Sequence, residues 1–502
     1  MNVATSVAEL VGLVKRAHTL GTVAEVLGWD EQVNLPPGAA EQRGAQLAVV
    51  AEVHHAAASH ARIGEHLAEL ETQRETLHVD QRAIVANARR DYDRATKLPA
   101  DFVREVAVQG SRGYHAWARA KAADDFASYA PVLQTNLDFA QREAAYLGRG
   151  DAPYDYALDK HDPGLTAAAV DRLFAELKRD LVPLMRAVTG SPRAAQARDV
   201  SSRLQGFPVD AQRTFLREVT AKLGFDYNRG RIDVSLHPFC SGSGNDVRMT
   251  TRYNEDQPLD ALFGSIHETG HGLYEQGLPV EHLGTALGVN AGMAIHESQS
   301  RLWENQVARS RGFWRHFEPR WRELFGAQTK GVSSDELYLA VNAVEPTLIR
   351  VDADEVTYNL HIVLRFEIEK RLFSGELAVK DLPQAWRAAS KELLGLEAEN
   401  DRTGVLQDVH WSGGAFGYFP SYCLGNMIAA QIWARVRTLR PQLEEEFARG
   451  EFGWLLSWLR EHVHLQARRQ GTLELVRQMT GEELSPKHLI AYLRERYGSL
   501  YL

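Results

Sequence analysis

The chain has 502 residues and a formal net charge of −9, and 44% of its residues are hydrophobic and 25% charged. These values are typical of globular proteins, and they exclude disordered, collagen-like and low-complexity classes. The acidic balance also argues against a nucleic-acid partner. Because Cys240 and Cys423 are the only cysteines, neither a disulfide scaffold nor a cysteine-rich zinc module is expected.

The sequence carries no signal that predicts a membrane or an export route. No stretch reaches the roughly 18 apolar residues of a membrane-spanning helix. Glu9 and Lys15 interrupt the apolar pattern near the N-terminus, so we expect no signal peptide. Together with the low cysteine content, these features predict a cytoplasmic protein without a membrane partner.

The N-terminal region predicts a succession of helices. Ser6 to Glu9 forms a capping-box pattern for the first helix, and the break at 36–38 precedes a second amphipathic run. A polar loop is predicted over 148–165, after which Thr166 should cap a long helix. Helical periodicity also covers 62–77, 79–96, 100–126 and 128–147.

Residues 231–253 depart from this helical period. Ile232 to Leu236 alternate between apolar and polar residues, and 241–245 is rich in glycine and serine. This pattern predicts a β-hairpin. Helical periodicity resumes near Pro258 and continues almost to Leu502. Because the chain shows neither an internal repeat nor a long linker, one mostly helical domain is expected.

An H-E-x-x-H motif, residues 267–271, lies in a segment with helical periodicity. Residues four apart share one face of a helix, so His267 and His271 can bind the same zinc ion. Glu268 points to an adjacent side, from which it can reach a water on the metal. A helix that carries two surface histidines by chance is the alternative interpretation.

A catalytic zinc needs a third protein ligand and one open position. The next predicted helix carries His296 and Glu297, and an antiparallel return would bring it beside the histidine pair. The two residues are neighbours, about 100° apart around a helix, so only one of them should bind the metal. Periodicity does not choose between them, and a solvated surface acid is the alternative for Glu297.

A series of further motifs runs through the chain in a fixed order. The series comprises Leu27 to Glu31 with Pro36 to Gly38, His237 to Phe239, Asp246 to Thr250, the H-E-x-x-H motif, His296 to Gln299, Ile349 to Glu355 with Tyr358, and Gly404 to Trp411. In identity and order these motifs resemble the carboxypeptidase Taq family of metallocarboxypeptidases. The resemblance covers nearly the whole chain and shows no departure at the motif positions.

This resemblance implies that Glu297 is the third ligand beside His267 and His271. It also implies a homodimer that accepts Zn²⁺, or Co²⁺ or another divalent ion, and that acts on peptides. The expected fold is mainly α, a large helical peptidase fold with a deep active-site cleft and a small β-hairpin or sheet near the metal. We expect a single metallocarboxypeptidase domain over 1–502, with an N-terminal helical lobe at about 1–165 and a catalytic helical region at about 166–502.

Peptide hydrolysis also needs a base and donors to the oxyanion. Glu268 is the predicted general base. His410 and Tyr422 are the candidate oxyanion donors, with Tyr418 as the alternative to Tyr422, because the wider helical zinc-peptidase superfamily tends to place a histidine and a tyrosine there. They lie in a glycine- and aromatic-rich segment that starts at Trp411, and packing of an ordinary loop is the alternative interpretation.

An enzyme that acts at the C-terminus must recognise a free carboxylate. Arg350 is the first candidate, because a guanidinium presents a fork of donors that matches two oxygens. An internal pair with Asp352 or Asp354 is the alternative for Arg350. Those two aspartates and Glu355 are also the acids among which we expect the partners that orient the metal-binding histidines.

The predicted hairpin carries two further substrate-binding candidates. Arg248 is the second candidate for the carboxylate, with an internal pair to Asp246 as the alternative. His237 is expected to contact substrate, unless it is a buried, hydrogen-bonded histidine. An exposed strand edge of this hairpin could bind an extended peptide.

The sequence therefore predicts a cytoplasmic zinc metallocarboxypeptidase that releases C-terminal residues with broad specificity. A helical zinc oligopeptidase that cuts internally is the first alternative, because the zinc ligands do not separate the two. A helical binding or scaffold protein with a vestigial metal motif is the second.

Overall fold

The computed structural model describes residues 2–502, which are mainly α-helical with one small sheet. The mainly α fold class predicted from the sequence is confirmed. The helices, α1 to α21 in chain order, are Val3–Val33, Ala40–Ala58, Ala61–Thr72, Val79–Lys97, Ala100–Ala123, Phe126–Tyr146, Pro153–Asp159, Ala167–Thr189, Pro192–Arg203, Val209–Leu223, Pro258–Gly277, Met293–Arg301, Arg311–Leu324, Ser334–Val341, Tyr358–Ser374, Leu382–Leu394, Phe419–Leu439, Leu443–Ala448, Gly453–His462, Thr472–Thr480 and Lys487–Tyr501. None of the described helices combines the length and apolar character that crossing a membrane requires.

Most predicted helices form within a few residues of their expected ends. Thr166 caps α8 as predicted, since its hydroxyl accepts from the Ala169 N–H. The predicted capping box is wrong, because Asn2 caps α1 and Ser6 lies inside that helix, where its hydroxyl bonds the buried His66. The predicted loop at 148–165 also contains the short helix α7, which begins at a proline and buries two tyrosines.

The sheet has three strands, β1 (Gly230–Val234), β2 (Cys240–Ser243) and β3 (Asp246–Thr251), in the order β1-β3-β2. The hairpin predicted over 231–253 is partly wrong. The antiparallel pair is β2 with β3, whereas β1 pairs with β3 in parallel. Gly242, with φ of 80°, lies within β2, and a Cβ there would lie 2.0 Å from the Asp246 carbonyl oxygen. Glycine therefore allows the tight β2–β3 connection.

The described residues form two compact units, each built from three segments of the chain. The first unit comprises 2–96, 202–338 and 432–482, and the second comprises 97–201, 339–431 and 483–502. The first unit contains the sheet and α11, the helix of the H-E-x-x-H motif. The second unit contains Arg350, His410 and Tyr422.

Candidate metal centre

Helix α11 lies in the core of the first unit. Its apolar residues Leu262, Ile266 and Leu273 are at most 1% exposed, so burial of this face fixes which side of the helix the motif presents. Gly270 lies where α12 crosses, and a Cβ there would lie 2.5 Å from both the Gln299 carbonyl oxygen and the Ser300 Cα. The glycine inside the motif therefore allows α12 to pack at backbone distance.

This close packing brings a carboxylate to the histidine pair. Glu297 Oε2 lies 3.6 Å from His267 Nε2 and 3.4 Å from His271 Nε2, and the three candidate ligand atoms are within 4.8 Å of one another. Ligands at a tetrahedral zinc ion, each about 2.0–2.1 Å from the metal, are roughly 3.3–3.4 Å apart. The spacing and the N, N, O donor set therefore fit a divalent metal ion. We call these three residues the metal centre.

His267 is held from behind by a carboxylate. Its Nδ1–H donates to Glu304 Oε2 over 2.8 Å, which directs Nε2 toward Glu297. Glu304 lies in a π-helix, Leu302–Val307, that continues α12. Such π-helical turns often occur at functional sites. Sequence reasoning missed Glu304, although its position seven residues after Glu297 places it on the same side of a helix, two turns further on.

The acids expected to orient the histidines, Asp352, Asp354 and Glu355, have other roles. Asp354 accepts from the backbone N–H groups of Val356 and Thr357, so it closes the turn that precedes α15. Glu355 accepts from a tyrosine hydroxyl in the same unit. Asp352 is exposed. The expectation is wrong, because the groups bound to Nδ1 of His267 and His271 are Glu304 and His296.

His271 is held from behind by a second imidazole. Its Nδ1 lies 2.5 Å from His296 Nδ1, and His296 Nε2 lies 2.8 Å from Glu275 Oε1. Of the two neighbours that periodicity left open, Glu297 therefore joins the histidine pair and His296 lies behind it. Burial, and then the neighbouring His296, lower the pKa of His271 to about 3. The imidazole is thus neutral near pH 7, as a metal ligand must be.

Arg301 links the two carboxylates on α12 and the π-helix. It donates from Nε to Glu297 Oε1 over 2.7 Å and from Nη1 to Glu304 Oε2 over 3.2 Å. Burial disfavours both carboxylate charges, but Arg301 and His267 outweigh it. They lower the pKa of Glu297 and bring that of Glu304 to about 2. Both acids are therefore ionised near neutrality, and Glu297 keeps Oε2 toward the histidines.

Glu268 differs from these acids in its surroundings. It is 6% exposed and accepts no hydrogen bond among residues 2–502. Burial raises the pKa of its carboxyl to about 7. A group with a pKa near neutrality can both take up and release a proton at that pH, which suits a general base and acid.

The sheet residues predicted to bind substrate have different surroundings. Arg248 donates to Asp246 from Nε over 2.8 Å and from Nη2 over 2.9 Å, and its guanidinium lies over the Trp29 ring, 4.4 Å from the centroid. The internal pair considered as the alternative is therefore present. His237 is exposed, so the alternative of a buried histidine is wrong.

In the second unit, Arg350 forms a buried ion pair. It donates from Nε to Asp408 Oδ1 over 2.9 Å and from Nη1 to the Tyr358 hydroxyl over 3.0 Å. Asp408 Oδ2 accepts from Arg365 Nε over 2.8 Å. Burial disfavours the carboxylate charge, but Arg365 and Arg350 outweigh it and lower the pKa of Asp408. We call Arg350, Arg365 and Asp408 the guanidinium cluster.

The alternative considered for Arg350, an internal pair with Asp352 or Asp354, is wrong in its partner, because the internal pair is with Asp408. Arg350 begins a 3₁₀ turn, Arg350–Asp352, rather than lying inside a long helix. In this turn Arg350 is buried, whereas Asp352 is exposed to solvent. The partner that replaces them, Asp408, is 58 residues further along the chain, so sequence proximity gave no signal for it.

The candidate oxyanion donors lie together in the second unit. His410 Nε2 is 3.4 Å from the Tyr422 hydroxyl, and the Tyr418 ring lies 5.2 Å from that of Tyr422. Burial is the main cause that lowers the pKa of His410 to about 4, so its imidazole is neutral near pH 7. His410 Nδ1 is buried and makes no hydrogen bond within residues 2–502.

Glu369 holds the loop that carries His410, and sequence reasoning missed it. This fully buried carboxylate accepts from the Tyr154 hydroxyl over 3.0 Å, from Trp411 Nε1 over 2.6 Å and from the Gly417 N–H over 2.9 Å. Burial outweighs these donors and raises the pKa of Glu369 to about 7. Its signal in the sequence is weak, because a single glutamate inside an apolar helix has no distinctive spacing.

A family model described as the carboxypeptidase Taq (M32) metallopeptidase matches residues 9–497. The chain belongs to this family. It is 42% identical to thermostable carboxypeptidase 1 of Thermus thermophilus over 495 residues, which cover 96% of each chain. It is 37% identical to carboxypeptidase 1 of Bacillus subtilis, with 100% of both chains covered.

Solved structures agree with this assignment. The M32 carboxypeptidase from Deinococcus radiodurans has a TM-score of 0.94 at 42% identity, with 99% of each chain covered. A carboxypeptidase structure from Pyrococcus furiosus, described as Apo-Mg, has a TM-score of 0.93 at 32% identity and the same coverage. The chain is therefore a metallocarboxypeptidase, as the sequence predicted, and the family implies a divalent metal ion that the metal centre fits.

Proposed function

We propose that this metallocarboxypeptidase binds one zinc ion through His267, His271 and Glu297 and releases residues one at a time from peptide C-termini with broad specificity. The observation that carries the proposal is the convergence of two imidazole nitrogens and one carboxylate oxygen within 4.8 Å. When bound, such an ion supplies Lewis acidity toward a carbonyl oxygen and makes water more acidic. Three protein ligands would leave one position of a four-coordinate zinc ion open, as a catalytic zinc requires.

We assign proton transfer to Glu268. It follows His267 directly on α11, and its carboxylate is buried without a hydrogen-bond donor among residues 2–502. A carboxylate in such surroundings is free to take a proton from water and to pass it to the leaving amine. Glu297 and Glu304 suit this role less well, because Arg301 binds both of them.

We assign recognition of the terminal carboxylate to Arg350. Two guanidiniums share one carboxylate in the guanidinium cluster, so one buried positive charge has no carboxylate of its own. Arg350 Nη2 makes no hydrogen bond to residues 2–502, and this N–H group can bind an anionic oxygen. A peptide carboxylate would supply the missing charge through a charge-assisted hydrogen bond.

We assign donation to the oxyanion to His410 and Tyr422. The neutral His410 imidazole carries one N–H, and the Tyr422 hydroxyl is also a donor. Tyr418 stays the alternative to Tyr422, because its ring packs against the same residues. Removal of one such donor typically costs about 10²–10³ in rate.

The remaining assignments rest on the resemblance and on composition. We propose that His237, which is exposed, contacts the peptide, and that Arg248 supports the same surface through the sheet. We also propose that the whole chain acts as one catalytic domain, that the enzyme is a cytoplasmic homodimer, and that Co²⁺ can replace Zn²⁺.

The proposal is tested with one peptide in two forms, followed by mass spectrometry. The zinc-loaded enzyme should convert the unmodified peptide into a ladder of products shortened one residue at a time from the C-terminus. The C-terminally amidated peptide should be cleaved far more slowly, because it lacks the carboxylate assigned to Arg350. Equal cleavage of both forms at internal bonds would contradict the proposal and favour an oligopeptidase.

A further inference from the structure

The imidazole of His271 lies at the end of a chain of polar groups. His296 Nδ1 is 2.5 Å from His271 Nδ1, and His296 Nε2 is 2.8 Å from Glu275 Oε1. Asn290 Nδ2 also donates to Glu275 Oε1, over 3.3 Å. The side chains of His296 and Glu275 are 13% and 9% exposed. The hydrogen-bonded series of side chains from Glu275 through His296 to His271 is thus largely shielded from water.

The order of protons along this chain follows from the metal centre. A neutral imidazole has one N–H and one lone pair. If His271 binds a cation through Nε2, its proton must be on Nδ1 and must be donated to His296 Nδ1. That atom must then carry the lone pair of His296, so the His296 proton is on Nε2 and is donated to Glu275. Each step fixes the next.

The opposite order is unfavourable at both ends. It would turn the lone pair of His296 Nε2 toward the Glu275 carboxylate at 2.8 Å. It would also place an N–H on His271 Nε2, which faces Glu297 and could then bind no metal. The hydrogen bond from His296 to the Glu275 carboxylate is stronger in these shielded surroundings than in water. It therefore selects the order of protons in which His271 can act as a ligand.

We propose that Glu275 and His296 form a relay that holds His271 in its metal-binding tautomer, which makes His296 a positioning residue. This inference rests on the zinc site proposed above. The relay is the counterpart of Glu304 behind His267, with one imidazole inserted between the carboxylate and the ligand. Partners of this kind typically change metal affinity 10- to 100-fold when they are mutated.

Packing alone is the competing explanation for His296. The Tyr274 ring lies 5.2 Å from the His296 ring, so any truncation also disturbs a buried contact. Two substitutions separate these explanations. His296→Gln keeps one acceptor for His271 and one donor for Glu275, whereas His296→Leu keeps only apolar volume.

The experiment measures zinc affinity of the full-length, metal-free protein by competition with a chromophoric chelator. We expect His296→Leu to bind zinc 10- to 100-fold more weakly than wild type and His296→Gln to stay within about threefold. Glu275→Gln should weaken binding by a smaller factor, since an amide can face His296 with either of its atoms. Thermal unfolding of each metal-free variant checks the packing.

The outcomes are distinguishable. Equal zinc affinity of wild type and His296→Leu would overturn the relay, and so would a His296→Gln variant as weak as His296→Leu. If His296→Leu does not fold, Glu275→Gln decides, and wild-type affinity in that variant overturns the relay. A wild-type chain that binds no zinc would instead overturn the proposed function itself.

Discussion

The metal centre and the guanidinium cluster present opposite polar atoms. The metal centre presents lone pairs, because a carboxylate oxygen and two imidazoles, which bind a metal ion in their neutral form, converge within 4.8 Å. The guanidinium cluster presents N–H groups, because Arg350 and Arg365 share the single carboxylate of Asp408. The first arrangement suits a cation and the second an anion, and a metallocarboxypeptidase must bind both a metal cation and the carboxylate of a peptide.

The two clusters are also assembled differently. The metal centre comes from two consecutive helices, α11 and α12, whose backbones meet at Gly270. The guanidinium cluster joins a 3₁₀ turn and the helix that follows it, α15, to a loop residue, Asp408, that lies 43 residues after Arg365. A local assembly should be most sensitive to changes in helix packing, whereas a long-range ion network should be most sensitive to loss of a charge.

Removal of the proposed base should give the largest effect. We expect Glu268→Gln to lower kcat by about 10²–10⁴-fold, because the amide cannot accept a proton from water. Zinc content, measured by metal analysis after dialysis, should stay at the wild-type value, since Glu268 is not among the three candidate ligands. A variant that keeps more than a tenth of the wild-type kcat would show that another group acts as the base.

Loss of the Arg350 charge should cause the second largest loss of activity and should leave the metal centre unchanged. We expect Arg350→Gln to lower kcat/KM by about 10²–10³-fold on peptides with a free carboxylate, as is typical when one partner of a buried charge pair is removed. Zinc affinity should not change. Steady-state kinetics on free and amidated peptides measure the effect.

Arg248→Gln is the matched control for this prediction. Arg248 is bound to Asp246, whose side chain is more than half exposed, and exposed ion pairs contribute little. We expect its kcat/KM to stay within about tenfold of wild type. If Arg248→Gln were the more damaging substitution, carboxylate recognition would belong to the sheet and the contrast between the two clusters would fail.

Glu369 should make the stability of the second unit depend on pH. The pKa of its buried carboxyl is raised to about 7, so the folded chain binds this proton more tightly than the unfolded chain. The stability that results is fully present below about pH 4.5 and is lost as the pH rises through 7. Over that pH range the free energy of unfolding of the wild type should fall by up to about 3 kcal/mol more than that of Glu369→Gln.

Urea unfolding at pH 5 and pH 8 measures this difference. Glu369→Gln should also be less stable than wild type at pH 5 by about 1–3 kcal/mol, because its NH₂ group meets donors from Trp411 or Gly417. The same pH dependence in both proteins would show that Glu369 stays ionised when folded and that other groups cause the change.

The sequence predicted the metal centre far better than the guanidinium cluster. The i, i+4 spacing of His267 and His271 is a local property of a helix, and the family resemblance then selected Glu297 over His296. Glu304 was missed although its spacing of seven residues from Glu297 could have indicated it, and the sequence did not predict the π-helix in which it lies. The partner of Arg350 was missed because Asp408 comes close only in the folded chain.

The sheet shows the same limit. Alternation correctly identified β-strands near the motif, but it does not encode which strands pair. The first arm pairs in parallel with β3, and the glycines read as a turn lie partly inside β2. Hairpin signals are local, whereas β1 and β3 are neighbours in the sheet but are not consecutive strands in the chain.

Substitution of Gly270 should have the smallest effect of these changes, and it tests directly whether the metal centre depends on the packing of α12 against α11. A Cβ at this position would lie 2.5 Å from the backbone of α12, so Gly270→Ala must push α12 away and carry Glu297 from the histidines. We expect the free energy of unfolding to fall by about 1–3 kcal/mol and zinc affinity to fall as well, both measured on the full chain. Gly264→Ala in the same helix is the matched control.

At Gly264 a Cβ would meet only the edge of Pro238, at 4.0 Å, so alanine should leave zinc affinity unchanged and stabilise the helix by up to about 1 kcal/mol. The difference between the two variants therefore separates helix propensity from contact with α12. If Gly270→Ala loses stability but binds zinc as tightly as wild type, Glu297 reaches the metal without the close approach of α12. The metal centre would then tolerate a shift in helix packing, and its contrast with the guanidinium cluster would rest on charge alone.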